Sequence, residues 1–198
     1  MMDQDPEANY YTIYTDRSSA VGVGGIGVIL LSLEKDILKY GIQLQFPATN
    51  NEAEYETILT GLKVVKALGV KNLKLNLNSK LVVGQITKKY EAKEDRTKRY
   101  LRLTNQLIYN FDDIRITQVP TKENFEANEV ARLASSNNDA RRPGLYIELQ
   151  SFPSIEGLDV IYVQSKGNWM DPIITYIRDG TLPPDPSEAR KIKGRSDS

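Results

Sequence analysis

The chain has 198 residues, 40% of them hydrophobic, with Lys plus Arg and Asp plus Glu balanced at 26 each. That is enough to bury one core of ordinary size with an appended segment, and it excludes an overall basic character, so a nucleic-acid partner would have to be met by a local patch. Cys and His are both absent, which excludes disulfides, thiolate or imidazole metal sites and Ser-His-Asp chemistry and leaves carboxylates with a hard, oxygen-seeking cation.

No apolar run reaches membrane-spanning length, and the start MMDQDPEAN is acidic and polar, unlike a signal peptide. The expectation is an intracellular protein, cytoplasmic or nuclear, with no membrane partner. The lack of Cys suits a reducing compartment.

Tyr10 to Asp16, YYTIYTD, is rich in aromatic and β-branched residues and predicts a strand ending on an acid. Ser18 to Gly22 is expected as a turn and Val23 to Leu31 as a second strand. Gly22, Gly24 and Gly27 spell G-x-G-x-x-G, but a dinucleotide site needs a helix to open there, and Val28-Ile29-Leu30-Leu31 continues as strand. These glycines are therefore read as turn and close-packing positions. After the polar break Glu34 to Asp36, Ile37 to Gln45 makes a third strand of an antiparallel meander.

The stretch Thr49 to Gly69, TNNEAEYETILTGLKVVKALG, predicts a helix opened by a capping box of Thr49 and Glu52 and stopped at Gly69. Ile58, Leu62 and Val65 form its buried stripe. Glu54 lies one turn before Ile58 on the same stripe, either as a plain helix-start acid or as a carboxylate whose charge something answers.

Asn72 to Asn78, NLKLNLN, alternates strictly as a half-buried strand. Ser79 to Tyr90 is expected as a short helix with Leu81, Val82 and Ile86, and Glu94 to Phe111 as a longer one with Tyr100, Leu103, Leu107 and Phe111 on one stripe. Ile114, Ile116 and Val119 mark a fifth strand. Asn124 to Ser135 is a final helix with Val130, Leu133 and Ala134 inward. This order predicts an α/β fold: a mixed five-stranded sheet, three antiparallel strands and then parallel ones, flanked by helices. Asp16 and Asn78 fall at strand ends, where such sheets build sites.

Residues 1–9 are expected as a tail, 10–138 as the domain and 139–198 as a linker-like segment. Six of the nine prolines lie beyond residue 140, so short pieces such as Trp169 to Asp179 and a frayed charged end are expected there.

The strand ending in Asp16 with Ser18 and Ser19 after it, the block TNNEAEYE, NSKLVVGQ from Asn78 to Gln85, and ENFEANEVARLAS from Glu123 to Ser135 resemble the type 1 ribonuclease H domain. The nearest likeness is to that of plant Ty3/Gypsy-type retrotransposon polyproteins. It covers roughly residues 10 to 138, and WMDPIITYIRDGTLP, Trp169 to Pro183, resembles the stretch before integrase. The resemblance implies a ribonuclease H-like fold, cleavage of the RNA strand of RNA–DNA hybrids with Mg²⁺ or Mn²⁺, and reverse transcriptase or integrase portions of a polyprotein as partners.

The family's Asp-Glu-Asp-Asp ligand set falls on Asp16, Glu54, Asn78 and Asn128, so two of four acids are missing. Two divalent ions about 4 Å apart need their charge answered. At an effective dielectric near 20, each lost carboxylate forgoes on the order of 4 kcal/mol of attraction, an upper figure. Weak metal binding and weak or absent cleavage follow. Arg17 also stands where the family usually has Gly, adding a cation beside Asp16. Single G-to-A codon changes would account for all three departures, as in a decaying element; deliberate Asp→Asn inactivation accounts equally well for the two asparagines but gives no reason for Arg17.

The resemblance further implies that Asn50 and Asn51 reach the hybrid's minor groove and that Thr49 touches phosphate; read without it, they are helix-capping residues. Between Lys88 and Arg102, seven basic residues (Lys88, Lys89, Lys93, Arg96, Lys98, Arg99, Arg102) face three acids (Glu91, Glu94, Asp95). They form either a nucleic-acid-tracking patch or a solvated helix face. Two functional readings remain at this level: an impaired ribonuclease H hydrolase, and a non-catalytic module of the same fold that binds nucleic acid or packs against a partner.

Overall fold

The computed structural model describes residues 9–20, 23–136 and 145–156. Strands β1 (Tyr11–Ala20), β2 (Val23–Leu31) and β3 (Ile37–Leu44) form the expected meander. Helix α1 (Asn50–Ala67), β4 (Asn72–Leu77), α2 (Lys80–Ile86), α3 (Asp95–Ile108), β5 (Asp113–Gln118), α4 (Phe125–Ser135) and β6 (Leu145–Gln150) follow. The sheet order is β5-β4-β1-β2-β3-β6, with β4 parallel to β1, β5 parallel to β4 and β6 parallel to β3.

The expected elements are present, with differences at their edges. β1 does not stop at Asp16 but pairs with β2 through Ala20, so Ser18 and Ser19 are strand rather than turn. Gly22 and the segment Trp169 to Asp179 lie outside the described residues. A sixth strand, β6, joins the five expected ones, so the sheet extends past residue 138, where the sequence had suggested a linker. Its signal was present in the alternation of Leu145, Ile147 and Leu149, but it was masked by the proline-rich surroundings.

Two faces of the sheet are covered differently. α1 and α3 close the main core, in which Ile13, Ile58, Leu59, Leu62, Leu73, Leu75, Leu77 and Tyr100 are fully buried. Each such aliphatic side chain contributes on the order of 1.5–3 kcal/mol. On the other face Ala127 and Val130 of α4 pack with Ile29 of β2. That helix lies unusually close. A Cβ on Gly27 would come within 2.0 Å of the Ala127 carbonyl oxygen, and one on Gly25 within 2.1 Å of that of Ala131. The glycines are close-packing positions, as expected for Gly27, and they set where α4 carries Asn128.

α1 begins as its sequence dictates, with Glu52 N–H donating to the Thr49 hydroxyl at 3.2 Å, and it ends at Gly69, which takes a φ of +75°. The reciprocal half of the capping box is replaced: the Glu52 carboxylate instead meets Arg96 Nε at 3.1 Å.

A polar clamp ties residues 145–156 to the helices. Glu56, fully buried on α1, accepts from Tyr100 Oη at 2.6 Å, Ser154 N at 2.7 Å and Gln150 Nε2 at 3.0 Å, and also from the Ser154 hydroxyl. A buried carboxylate is stable only when so answered.

Candidate functional site

The parallel ladder between β1 and β4 ends at the pair Thr15 and Leu77. Asp16 and Asn78 are therefore the next residues on neighbouring strands, side by side beyond the carboxyl end of β4. Glu54 approaches from α1 and Asn128 from α4. The four positions that carry the resemblance thus come from four elements at one end of the sheet.

Asp16 is buried and accepts from the Arg17 backbone N–H at 2.8 Å. Burial raises its pKa above the usual carboxylate range, while that N–H, the Asn128 side chain and the Arg17 charge pull it back. Glu54 is 3% exposed. Its pKa is pushed up to about 7, by burial first and by the neighbouring Asp16 second, with Arg17 opposing. Arg17 Nε stands 3.1 Å from Glu54 Oε1. This contact is one of charge rather than an aligned hydrogen bond, and Glu54 Oε2 has no protein partner. Of the two sequence readings of Glu54, the structure gives the second: a buried carboxylate with an answering cation.

The asparagines are wired as donors. Asn78 Nδ2 lies 3.2 Å from Thr121 Oγ1 and 3.3 Å from the Val119 carbonyl oxygen, tying β4 to the segment after β5. Asn124, which sequence reasoning assigned only to the helix start, is fully buried and donates to the Thr15 carbonyl at 2.7 Å. Only the tertiary contact reveals that role. Among the described residues no group of three or more acids could hold a metal ion. Two carboxylates, one already facing a guanidinium, with amides turned to protein acceptors, do not fit a pair of divalent cations.

Asn50 is exposed and Asn51 half-buried at the first turn of α1, while the Thr49 hydroxyl is spent on the helix cap. The basic stretch divides in two. Lys88 and Lys89 line an open groove of about 820 Å³ together with Tyr90, Lys98, Arg102 and Tyr109. Arg96 and Arg99 are not part of it: Arg96 pairs with Glu52 and Glu156, and Arg99 donates to the Ile155 carbonyl at 2.8 Å. These two arginines hold the chain to itself. Among the described residues no helix is long and apolar enough to cross a membrane.

A mixed sheet with helices on both faces, and a buried acid pair of Asp16 on β1 and Glu54 on α1, has the form of a ribonuclease H-like domain. Residues 15–134, more than half of the chain, match the reverse transcriptase-like family, to which this chain belongs. It is 30% identical over 113 residues to ribonuclease HI of Halobacterium salinarum, covering 57% of either chain, so it spans little more than half of that relative's length. The crystal structure of RNase H1 from the same archaeon overlays with a TM-score of 0.56 at 28% identity, over 60% of this chain and 91% of that one. The N-terminal RNase H domain of rv2228c from Mycobacterium tuberculosis, solved as a fusion with maltose-binding protein, gives a TM-score of 0.59 at 26% identity, over 64% and 93%.

Proposed function

We propose that this chain is a ribonuclease H-type module that binds RNA–DNA hybrid and whose hydrolytic centre is disabled. One observation carries the reading. The cation nearest the buried acid pair is the chain's own Arg17, and asparagines stand at the two positions where further acids would be needed. Mg²⁺ or Mn²⁺ would reach Asp16 and Glu54 only weakly, so cleavage is weak or absent. The motif blocks support an origin in a retrotransposon polyprotein of the plant Ty3/Gypsy type, where reverse transcriptase or integrase portions would be its neighbours.

In this reading Asn50 and Asn51 meet the minor groove of the hybrid while Lys88 and Lys89, beside the open groove, meet a backbone. Arg96 and Arg99 serve the fold instead. Binding of a labelled RNA–DNA hybrid, measured in EDTA against a DNA duplex of the same sequence, tests it. A preference for the hybrid that falls on Asn50→Ala with Asn51→Ala is expected; equal binding of both duplexes, unchanged by those substitutions, would overturn it.

A further inference from the structure

We propose that Arg17 is a resident counter-ion, its guanidinium answering Glu54 from within the chain, so that the domain keeps its acid pair and its folded state without any divalent cation. The geometry follows from the strand. Side chains alternate along β1, so Arg17 points to the same side as Ile13 and Thr15. That is the side α1 covers, because Gly61 of α1 lies directly over Ile13. A long basic side chain at position 17 therefore meets α1, and the residue it meets is Glu54, at 3.1 Å. Pairing of Arg17 with Ile26 in the β1–β2 ladder fixes its backbone, so the guanidinium reaches Glu54 from an anchored strand.

The rest of the centre agrees with a cation already supplied. Asp16 takes the Arg17 N–H, and the side chain of Asn128 supports the same carboxylate. An Asp at position 128 would add a third carboxylate beside Asp16 and Glu54, with only one guanidinium near the three. Arg17 and Asn128 thus fit one another: each lowers the need for a metal that the other acids would have created. Glu54 Oε2 is the one carboxylate oxygen of the centre that is buried without a protein partner. It is the remaining point at which a cation could act, since Arg17 Nε meets the other oxygen of the same carboxylate, Oε1, at 3.1 Å.

The test is thermal unfolding of the full chain and of Arg17→Gly at about pH 8, in EDTA and in excess Mg²⁺ or Mn²⁺. The unaltered chain is expected to show the same Tm in both. Arg17→Gly is expected to melt lower in EDTA and to recover part of the loss when the cation is added. A saturable rise in Tm of the unaltered chain with Mg²⁺, or an Arg17→Gly chain as stable in EDTA as the original, would overturn the proposal. Should Arg17→Gly fail to fold, Mn²⁺ broadening of backbone amide signals in the unaltered chain gives the answer. Signals of Asp16 and Gly27 no more affected than those of the surface are expected, and their selective loss would refute it. The proposal rests on the assignment of the acid pair to a former metal centre, but no nucleic acid enters the assay. Failure of hybrid binding and failure of the counter-ion are therefore read separately.

Discussion

Replacing Glu56 by Ala probes how the segment after α4 belongs to the domain. Glu56 is fully buried and gathers hydrogen bonds from Tyr100, Gln150 and Ser154. Gln150 keeps a second acceptor in the Phe152 carbonyl, so its loss is small. The Ser154 backbone N–H and the Tyr100 hydroxyl lose a buried acceptor, each at about 1–3 kcal/mol. The expected destabilisation is therefore about 2–6 kcal/mol, a large part of the stability of an ordinary domain. Urea unfolding of the full chain, followed by circular dichroism, measures it. Ser154→Ala, which leaves the backbone donor in place, should cost only about 1 kcal/mol. A loss below about 1 kcal/mol for Glu56→Ala would refute the claim that this carboxylate holds residues 145–156 to α1 and α3.

Other expectations concern packing, pH and salt. Gly27→Ala should destabilise by about 1–3 kcal/mol or more, since its Cβ would meet backbone atoms of α4 and not a movable side chain; chemical denaturation checks this. Glu54 has a folded pKa of about 7, above its ordinary value of 4.5. The folded state therefore holds the extra proton between those values, and stability should fall as pH rises through this window. The ceiling is about 3 kcal/mol, and the slope should flatten in Glu54→Gln when unfolding is measured across pH. Lys88→Ala with Lys89→Ala should weaken hybrid binding and make its salt dependence shallower by roughly one unit per lost phosphate contact. Arg96→Ala should leave that slope unchanged and lower the melting temperature instead, because its partners are Glu52 and Glu156.

Much of the fold was legible because apolar periodicity is a local property. The alternation of NLKLNLN and the helical stripe around Ile58 each name an element and its buried face without reference to any other. Glu54 could be singled out for the same reason: its stripe runs inward, so its charge had to be answered. What answers it was only half legible. The presence of Arg17 beside Asp16 was readable from the chain, whereas its contact with Glu54 depends on α1 crossing β1. The basic stretch shows the limit most clearly. Lys88 and Arg96 look alike in sequence, yet one lines a groove and the other is bound to Glu52 and Glu156, because the segment around Glu156 folds back onto α3. The strand β6 is hard to read in the chain because its alternation is short and prolines surround it, and an edge strand is recognised by its partner more than by its own pattern.

The most direct measurement is cleavage of a labelled RNA–DNA hybrid, in Mg²⁺ and in Mn²⁺, by this chain and by a variant carrying Arg17→Gly, Asn78→Asp and Asn128→Asp. The variant removes the resident cation and returns two carboxylates to the strand ends and helix around Asp16 and Glu54. Cleavage by the variant, with little or none by the original chain, is expected. Comparable cleavage by the original chain would contradict the claim that its hydrolytic centre is disabled.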